Sequence, residues 1–302
     1  MDFLYLLEKI RLPGLNEFML AVTTLGDETA FLVLALIFFW CVDKRRGYFI
    51  MAVGFVGTIA NQFMKILFRV PRPWERDPNF TILEEAREGA GGYSFPSGHS
   101  QTAVGTFGAI CATEKRRWLR AVCVAVMVLV PFSRMYVGVH TPSDVLVGSG
   151  MALVLIGLLR PLVYGKDERG IKWLIAGMLA LAVAFLLYVE LYPFPADFSS
   201  HNLESGHKNA YTLLGCTIGV AIVYLADCKW LHFPVKAIWW GQIIKAVLGL
   251  GLVLAVKEGM RGPLEAVLPV YPARAVRYFL IVMVAGILWP MTFRWFSILG
   301  RK

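Results

Sequence analysis

Tyr93-Ser94-Phe95-Pro96-Ser97-Gly98-His99-Ser100 is a polar stretch set directly before an apolar run at 103–112. Pro96 fixes one backbone dihedral and Gly98 relaxes another, so the chain turns sharply here. Ser97 predicts an N-cap, with Gly98 and His99 in the first turn of the helix that the apolar run forms. Such a helix start presents unpaired N–H groups and the positive end of its dipole, a setting suited to an anion such as phosphate. Taken alone, Ser-Gly-His at this place is an ordinary loop-to-helix cap. Its meaning depends on what the rest of the chain brings to it.

The chain around this turn has 302 residues, 57% of them hydrophobic and only 17% charged. Its mean hydropathy is +0.61, the composition of a multi-span membrane protein. Apolar runs fall at 29–42, 47–68, 99–113, 119–132, 142–159 and 173–188, and three more at 211–226, 238–256 and 276–289. The fold class is therefore all-α: a polytopic integral membrane helical bundle of about nine spans, six and then about three, with no internal repeat. The net charge of +9 does not indicate a nucleic-acid partner. The basic residues form short clusters between apolar runs: Lys44-Arg45-Arg46, Lys115-Arg116-Arg117 with Arg120, and Lys166, Arg169 and Lys172. That is the pattern of the positive-inside rule, and it puts 69–97 and 134–141 together on the extracytoplasmic side.

Residues 1–28 predict an interfacial segment. Phe3, Leu6, Leu7 and Ile10 recur at helical spacing, Pro13-Gly14 ends the helix, and 15–24 is a second surface or half-inserted piece. Asp2 and Glu8 argue against a cleavable signal. The five cysteines, Cys41, Cys111, Cys123, Cys216 and Cys228, have no CxxC partners and are expected to be small buried hydrophobes. The run 99–113 rises only about 22 Å as a helix, against about 30 Å of hydrocarbon. If its basic end is pinned at the inner surface, the His99 turn lies below the outer headgroups.

Three clusters on that side carry chemistry. Lys65 stands near the end of a span, and Arg72 follows between Pro71 and Pro73. Singly they are side chains that snorkel to the interface. Ser97-Gly98-His99 is the second cluster. The third is Ser133-Arg134 followed by His140-Thr141-Pro142-Ser143-Asp144, where Thr141 predicts an N-cap and Pro142 the first helical residue. Asp144 then stands one turn in, where it either answers the helix dipole or accepts a proton from His140. Lys65, Arg72 and Arg134 can neutralise phosphoryl oxygens, Ser97 and the N–H groups at Gly98 can add donors, and two histidines allow nucleophilic attack and proton donation. There is no HExxH, P-loop or paired-Asp motif, and neither metal nor cofactor is expected; three cations can do the charge neutralisation of a Mg²⁺.

Lys65 with Arg72-Pro73, Pro96-Ser97-Gly98-His99, and Ser133-Arg134 with His140 and Asp144 resemble, in order and spacing, the three-part signature of the type-2 phosphatidic acid phosphatase superfamily. The resemblance covers roughly residues 44–160. It implies metal-independent removal of phosphate from a lipid phosphate or pyrophosphate by way of a phosphohistidine. By position, His140 would be the nucleophile, Asp144 its orienting carboxylate and His99 the general acid, with Lys65, Arg72, Ser97, Gly98 and Arg134 binding phosphate. The implied layout is a phosphatase core at 29–192 and a transmembrane extension at 193–302. The implied place is the extracytoplasmic face of a bacterial plasma membrane. The expected partners are the bilayer and a phosphorylated lipid such as undecaprenyl pyrophosphate, phosphatidylglycerophosphate or phosphatidic acid, with no obligatory protein partner. A lipid phosphotransferase with the same site and a non-enzymatic lipid or anion transporter are the alternatives. His201, His207 and Lys208 on a predicted loop at 190–208, and Lys257, Arg261, Arg274 and Arg277, are interfacial charges or determinants of headgroup choice. Glu84, Glu85 and Glu88 predict a solvated loop face.

Overall fold

The computed structural model describes residues 1–87, 89–166, 169–195 and 198–299. All regular structure among the described residues is helical. In chain order the helices are α1 (Asp2–Lys9), α2 (Pro13–Thr23), α3 (Glu28–Ile37), α4 (Lys44–Phe68), α5 (Pro73–Arg76), α6 (Gly98–Thr113), α7 (Arg117–Tyr136), α8 (Pro142–Tyr164), α9 (Gly170–Leu191), α10 (Ser200–Ala226), α11 (Trp239–Gly259), α12 (Arg261–Glu265), α13 (Val270–Met283) and α14 (Phe293–Ile298).

Seven helical stretches among the described residues are long and apolar enough to cross a membrane. Pro13–Gly26 with Glu28–Val42, bent by 55°, counts as an eighth if taken as one span. At 16 residues, α6 is too short to be counted by itself. With that bent pair taken as one span and α6 added, six membrane-scale elements precede residue 193 and three follow among the described residues, in keeping with an all-α polytopic bundle. Several boundaries differ from the sequence reading. The fourth run does not stop at Phe132: α7 carries Ser133 and Arg134 in its last turn, because a polar side chain does not interrupt backbone hydrogen bonding. Residues 200–208 are helical, not a loop, so His201, His207 and Lys208 stand on α10. Cys123 and Cys216 are buried, but Cys228 is exposed. Glu84 and Glu85 are exposed and Glu84 pairs with Arg87 at 2.6 Å; Glu88 lies outside the described residues.

The chain divides into two compact units that do not follow sequence order. The first comprises 1–32, 50–161 and 194–206. In it, α1 exists as expected: Phe3, Leu6 and Ile10 of its apolar face stay exposed, while Leu7 packs with Leu4 and Phe80, beside Phe132 and Met135. Met19 on α2 packs with Ala86, Ala90, Tyr136, Val137 and Val139. Val22, Ala103 and Val130 tie α2, α6 and α7 together. The outward face of α8 keeps Leu146, Leu153, Val154 and Leu158 exposed, as a lipid-facing surface requires.

The second unit comprises 33–49, 162–193 and 207–302. Here α10 and α13 approach closely at Gly215, where a Cβ would come within 2.1 Å of the Ala275 carbonyl oxygen. Small residues at such a crossing let two backbones touch where lipid supplies no hydrophobic drive. The Trp40 indole donates to the Ala285 carbonyl at 2.8 Å, and Lys44 pairs with Asp227 at 2.7 Å. His207 stacks on Tyr271 with centroids 5.1 Å apart, and Arg274 Nε donates to Thr212 Oγ1 at 2.7 Å.

Candidate active site

Every residue singled out for the site lies in the first unit. Lys65 stands in the last turn of α4, buried, with its ammonium donating to the Tyr93 carbonyl. Arg69 then turns the chain with φ 51°, and Arg72 leads into α5 in extended conformation. The Arg72 guanidinium is 3% exposed. It donates to the carbonyls of Gly91 (2.9 Å), Gly92 (3.0 Å) and Val139 (3.0 Å), and Nη1 is 3.0 Å from His140 Nε2. One side chain thus joins the loop before α6 to the segment before α8, two stretches that the charge pattern put on the same side.

Ser97 is the N-cap of α6. Its Oγ accepts from the Ser100 N–H at 3.4 Å and from the Ser100 hydroxyl at 2.8 Å. Its own N–H donates to the Asp144 carbonyl at 2.9 Å. At Gly148 on α8, a Cβ would sit 2.5 Å from the Ser97 carbonyl oxygen, so α8 meets this turn backbone to backbone. Asn61 Nδ2 lies 3.4 Å from the Pro96 carbonyl. Gly98 and His99 open α6 with their N–H groups at the positive end of its dipole.

The His140 segment is set by the end of α7. Val139 N–H donates to the Arg134 carbonyl at 3.2 Å and Gly138 N–H to the Met135 carbonyl at 3.1 Å, a Schellman closure with Gly138 at φ 90°. A Cβ at Gly138 would lie 2.7 Å from Arg11 Nη2 and 3.1 Å from the Phe80 ring, so that position requires glycine twice over. The chain then reverses, and Pro142 starts α8 with Asp144 in its first turn.

Asp144 Oδ2 collects three groups: Ser94 Oγ at 2.5 Å, the Thr141 N–H at 2.8 Å and His140 Nδ1 at 3.4 Å. Asp144 and His140 are each 1% exposed. A guanidinium can only donate, so the Arg72 contact puts a lone pair on His140 Nε2, and the ring proton stands on Nδ1 facing the carboxylate. Burial first, and then the charges of Arg72, Arg134 and Lys65, hold His140 well below the usual histidine range, so the ring is neutral.

Arg134 is 1% exposed. Its Nη1 donates to Thr23 Oγ1 at 2.8 Å, while Nε and Nη2 are buried without a hydrogen-bond partner among the described residues. Two unsatisfied guanidinium donors are costly to bury unless an acceptor joins them, and a phosphoryl group offers the matching pair of oxygens. His99 Nε2 pairs with Asp27 Oδ1 at 2.7 Å. The eight residues expected from the sequence are thus gathered in one unit, with His140 feeling the charges of Lys65, Arg72, Arg134 and His99.

Four contributors were not anticipated. Ser94 lies inside the stretch quoted first, but nothing local connects it to Asp144, 50 residues on. Gly138 carried a readable signal, a glycine just past an apolar helix. Thr23 and Asp27 had none, since the pairing of α2 with α6 and α7 is tertiary.

Residues 47–168 match the PAP2 superfamily, and 211–301 match the transmembrane extension of PAP2 superfamily phosphatases, together more than half of the chain. The chain is 29% identical over 173 residues to phosphatidylglycerophosphatase B of Bacillus subtilis, covering 53% of this chain and 79% of that protein. It is 28% identical over 147 residues to undecaprenyl-diphosphatase BcrC of the same organism, 48% of this chain and 72% of that protein. Mouse sphingosine-1-phosphate phosphatase 1 is 24% identical over 278 residues, 84% of this chain and 62% of that protein. No solved structure gives a significant match. With the signature of residues 65–144 folded into one buried cationic site on an apolar helical bundle, the chain belongs to the PAP2 superfamily and is an integral-membrane lipid phosphate phosphatase of that family.

Proposed function

We propose that this protein releases phosphate from a lipid phosphate or pyrophosphate through a phosphohistidine on His140, at the extracytoplasmic face of a bacterial plasma membrane. The observation that carries the reading is the double hold on the His140 ring, Arg72 at Nε2 and Asp144 at Nδ1. It fixes the tautomer whose lone pair can attack phosphorus.

In the first step His140 Nε2 bonds to phosphorus as the bond from phosphorus to the lipid oxygen breaks, and that oxygen takes a proton from His99. In the second, water attacks phosphorus as the P–N bond breaks. His99 takes the water's proton, inorganic phosphate leaves, and His140 is restored. Asp144 stabilises the ring as it gains positive charge, and Ser94 holds Asp144. Lys65, Arg72 and Arg134, with the Ser97 hydroxyl and the N–H groups at Gly98, hold the phosphoryl oxygens. Arg72 gives up its contact with Nε2 for a phosphoryl oxygen as the substrate enters.

The named relatives support substrates in the range of phosphatidylglycerophosphate and undecaprenyl pyrophosphate. The length of α6, about 24 Å against about 30 Å of hydrocarbon, supports a site sunk toward the lipid tails. The deciding experiment is phosphate release by the purified protein from a panel of lipid phosphates in the presence of a chelator. Release that His140→Ala abolishes is expected. Lipid movement without release, or phosphate passed to an acceptor other than water, would replace the reading with transport or phosphotransfer.

A further inference from the structure

The chain between α2 and α3 lies before the residues that match the superfamily, yet it touches two of the site's side chains. Thr23 ends α2 and receives Arg134 Nη1. Thr24–Gly26 forms one tight turn, and Asp27 follows in extended conformation at the point where the N-terminal span bends by 55°. The turn is pressed onto the start of α6: a Cβ at Gly26 would lie 2.9 Å from the His99 carbonyl oxygen and 3.1 Å from His99 Cβ. From there the Asp27 carboxylate reaches His99 Nε2 at 2.7 Å.

We infer that Asp27 is a positioning residue for His99: it holds the ring by Nε2, favours its protonated form and leaves Nδ1 to deliver a proton to the oxygen leaving phosphorus. The inference rests on the reading of His99 as the general acid. The need for such a partner is electrostatic. Burial and the guanidinium groups of Arg134 and Arg72 all disfavour a positive charge on His99. A carboxylate at hydrogen-bond distance offsets that repulsion, as Asp144 does for the ring of His140 when it attacks. The proton balance is closed: His99 loses one proton to the lipid oxygen and regains one from the attacking water. The Asp27 side chain is 44% exposed, and a half-exposed ion pair adds little to stability, so substitution is expected to leave the fold intact.

The test compares kcat/KM, which reports the steps up to P–O cleavage, on an alkyl lipid phosphate and on p-nitrophenyl phosphate. The alkoxide needs a proton to leave; the nitrophenolate does not. Asp27→Asn should lose about 10–100-fold on the alkyl substrate, within the range of general-acid contributions, and less than about threefold on the aryl one. Asp27→Glu should recover most of the loss. His99→Ala, run alongside, should show the same dependence on leaving group. If it does and Asp27→Asn loses equally on both substrates, or on neither, the inference is wrong and the role of His99 stands. If His99→Ala itself affects both substrates alike, the acid assignment fails and the inference fails with it.

Discussion

Arg72 Nη1 lies 3.0 Å from His140 Nε2, and this contact decides which nitrogen of the buried ring carries the lone pair. The opposite nitrogen faces Asp144, so the ring is held in one tautomer from both sides. Much of what can be measured on this protein follows from that arrangement.

His140→Ala should reduce lipid phosphate turnover by about 10³-fold or more, because the other imidazole of the site, His99, is paired with Asp27 at Nε2 and given to proton transfer. Quenching the wild type during turnover should trap an acid-labile, base-stable phosphoryl adduct that the variant lacks. A stoichiometric adduct in His140→Ala would refute the assignment.

Asp144→Asn should lower kcat by about 10²–10⁴ with little change in membrane insertion. The main-chain carbonyl that receives the Ser97 N–H survives the substitution, whereas the amide would face Nδ1 with the wrong hydrogen. Ser94→Ala removes a hydrogen bond to a charged carboxylate, worth about 1.5–3 kcal/mol. A loss of about 10–100-fold in kcat is expected, with KM nearly constant.

Arg134→Lys should raise KM and the inhibition constant for orthovanadate together, by about tenfold or more. A lysine keeps the charge but cannot present the two unpartnered donors, Nε and Nη2, as a fork. Orthovanadate itself should compete with substrate by mimicking pentacoordinate phosphorus. Chelators should leave turnover unchanged, since three cationic side chains carry the phosphoryl charge.

His140 also makes stability depend on pH. Its folded pKa lies well below the ordinary value near 6.5, so between the two the unfolded chain binds a proton that the folded chain refuses. Stability from this group is full above about 6.5 and falls as pH drops below it, by at most about 1.4 kcal/mol per pH unit. The thermal midpoint in detergent should fall between pH 7 and 5, and His140→Gln should flatten that slope.

The helical membrane character was legible because apolar runs of 14 or more residues leave few alternatives, and basic clusters assign their ends. The eight candidate residues could be picked out as three short motifs, and the fold brings all of them into one unit. What the sequence concealed is tertiary. Ser94 reaches Asp144 only because the Ser97 turn abuts the start of α8, and Asp27 reaches His99 only because Gly26 lets a bent span press on α6. Helix ends misled in a different way: polarity at Ser133 and at His201 suggested loops, but neither residue stops backbone hydrogen bonding, and both stand in helices.

Gly138 is backed by Arg11 and Phe80, and Arg11 also binds the carbonyls of Tyr136 and Thr81 while Leu4 and Leu7 seal the apolar side. The reversal that presents His140 is therefore braced from behind by the first dozen residues, not by the bundle alone. Protease nicks or mild denaturant acting on this brace should erode turnover while circular dichroism still reports an intact array of helices, making enzymatic assay the earlier alarm for damage.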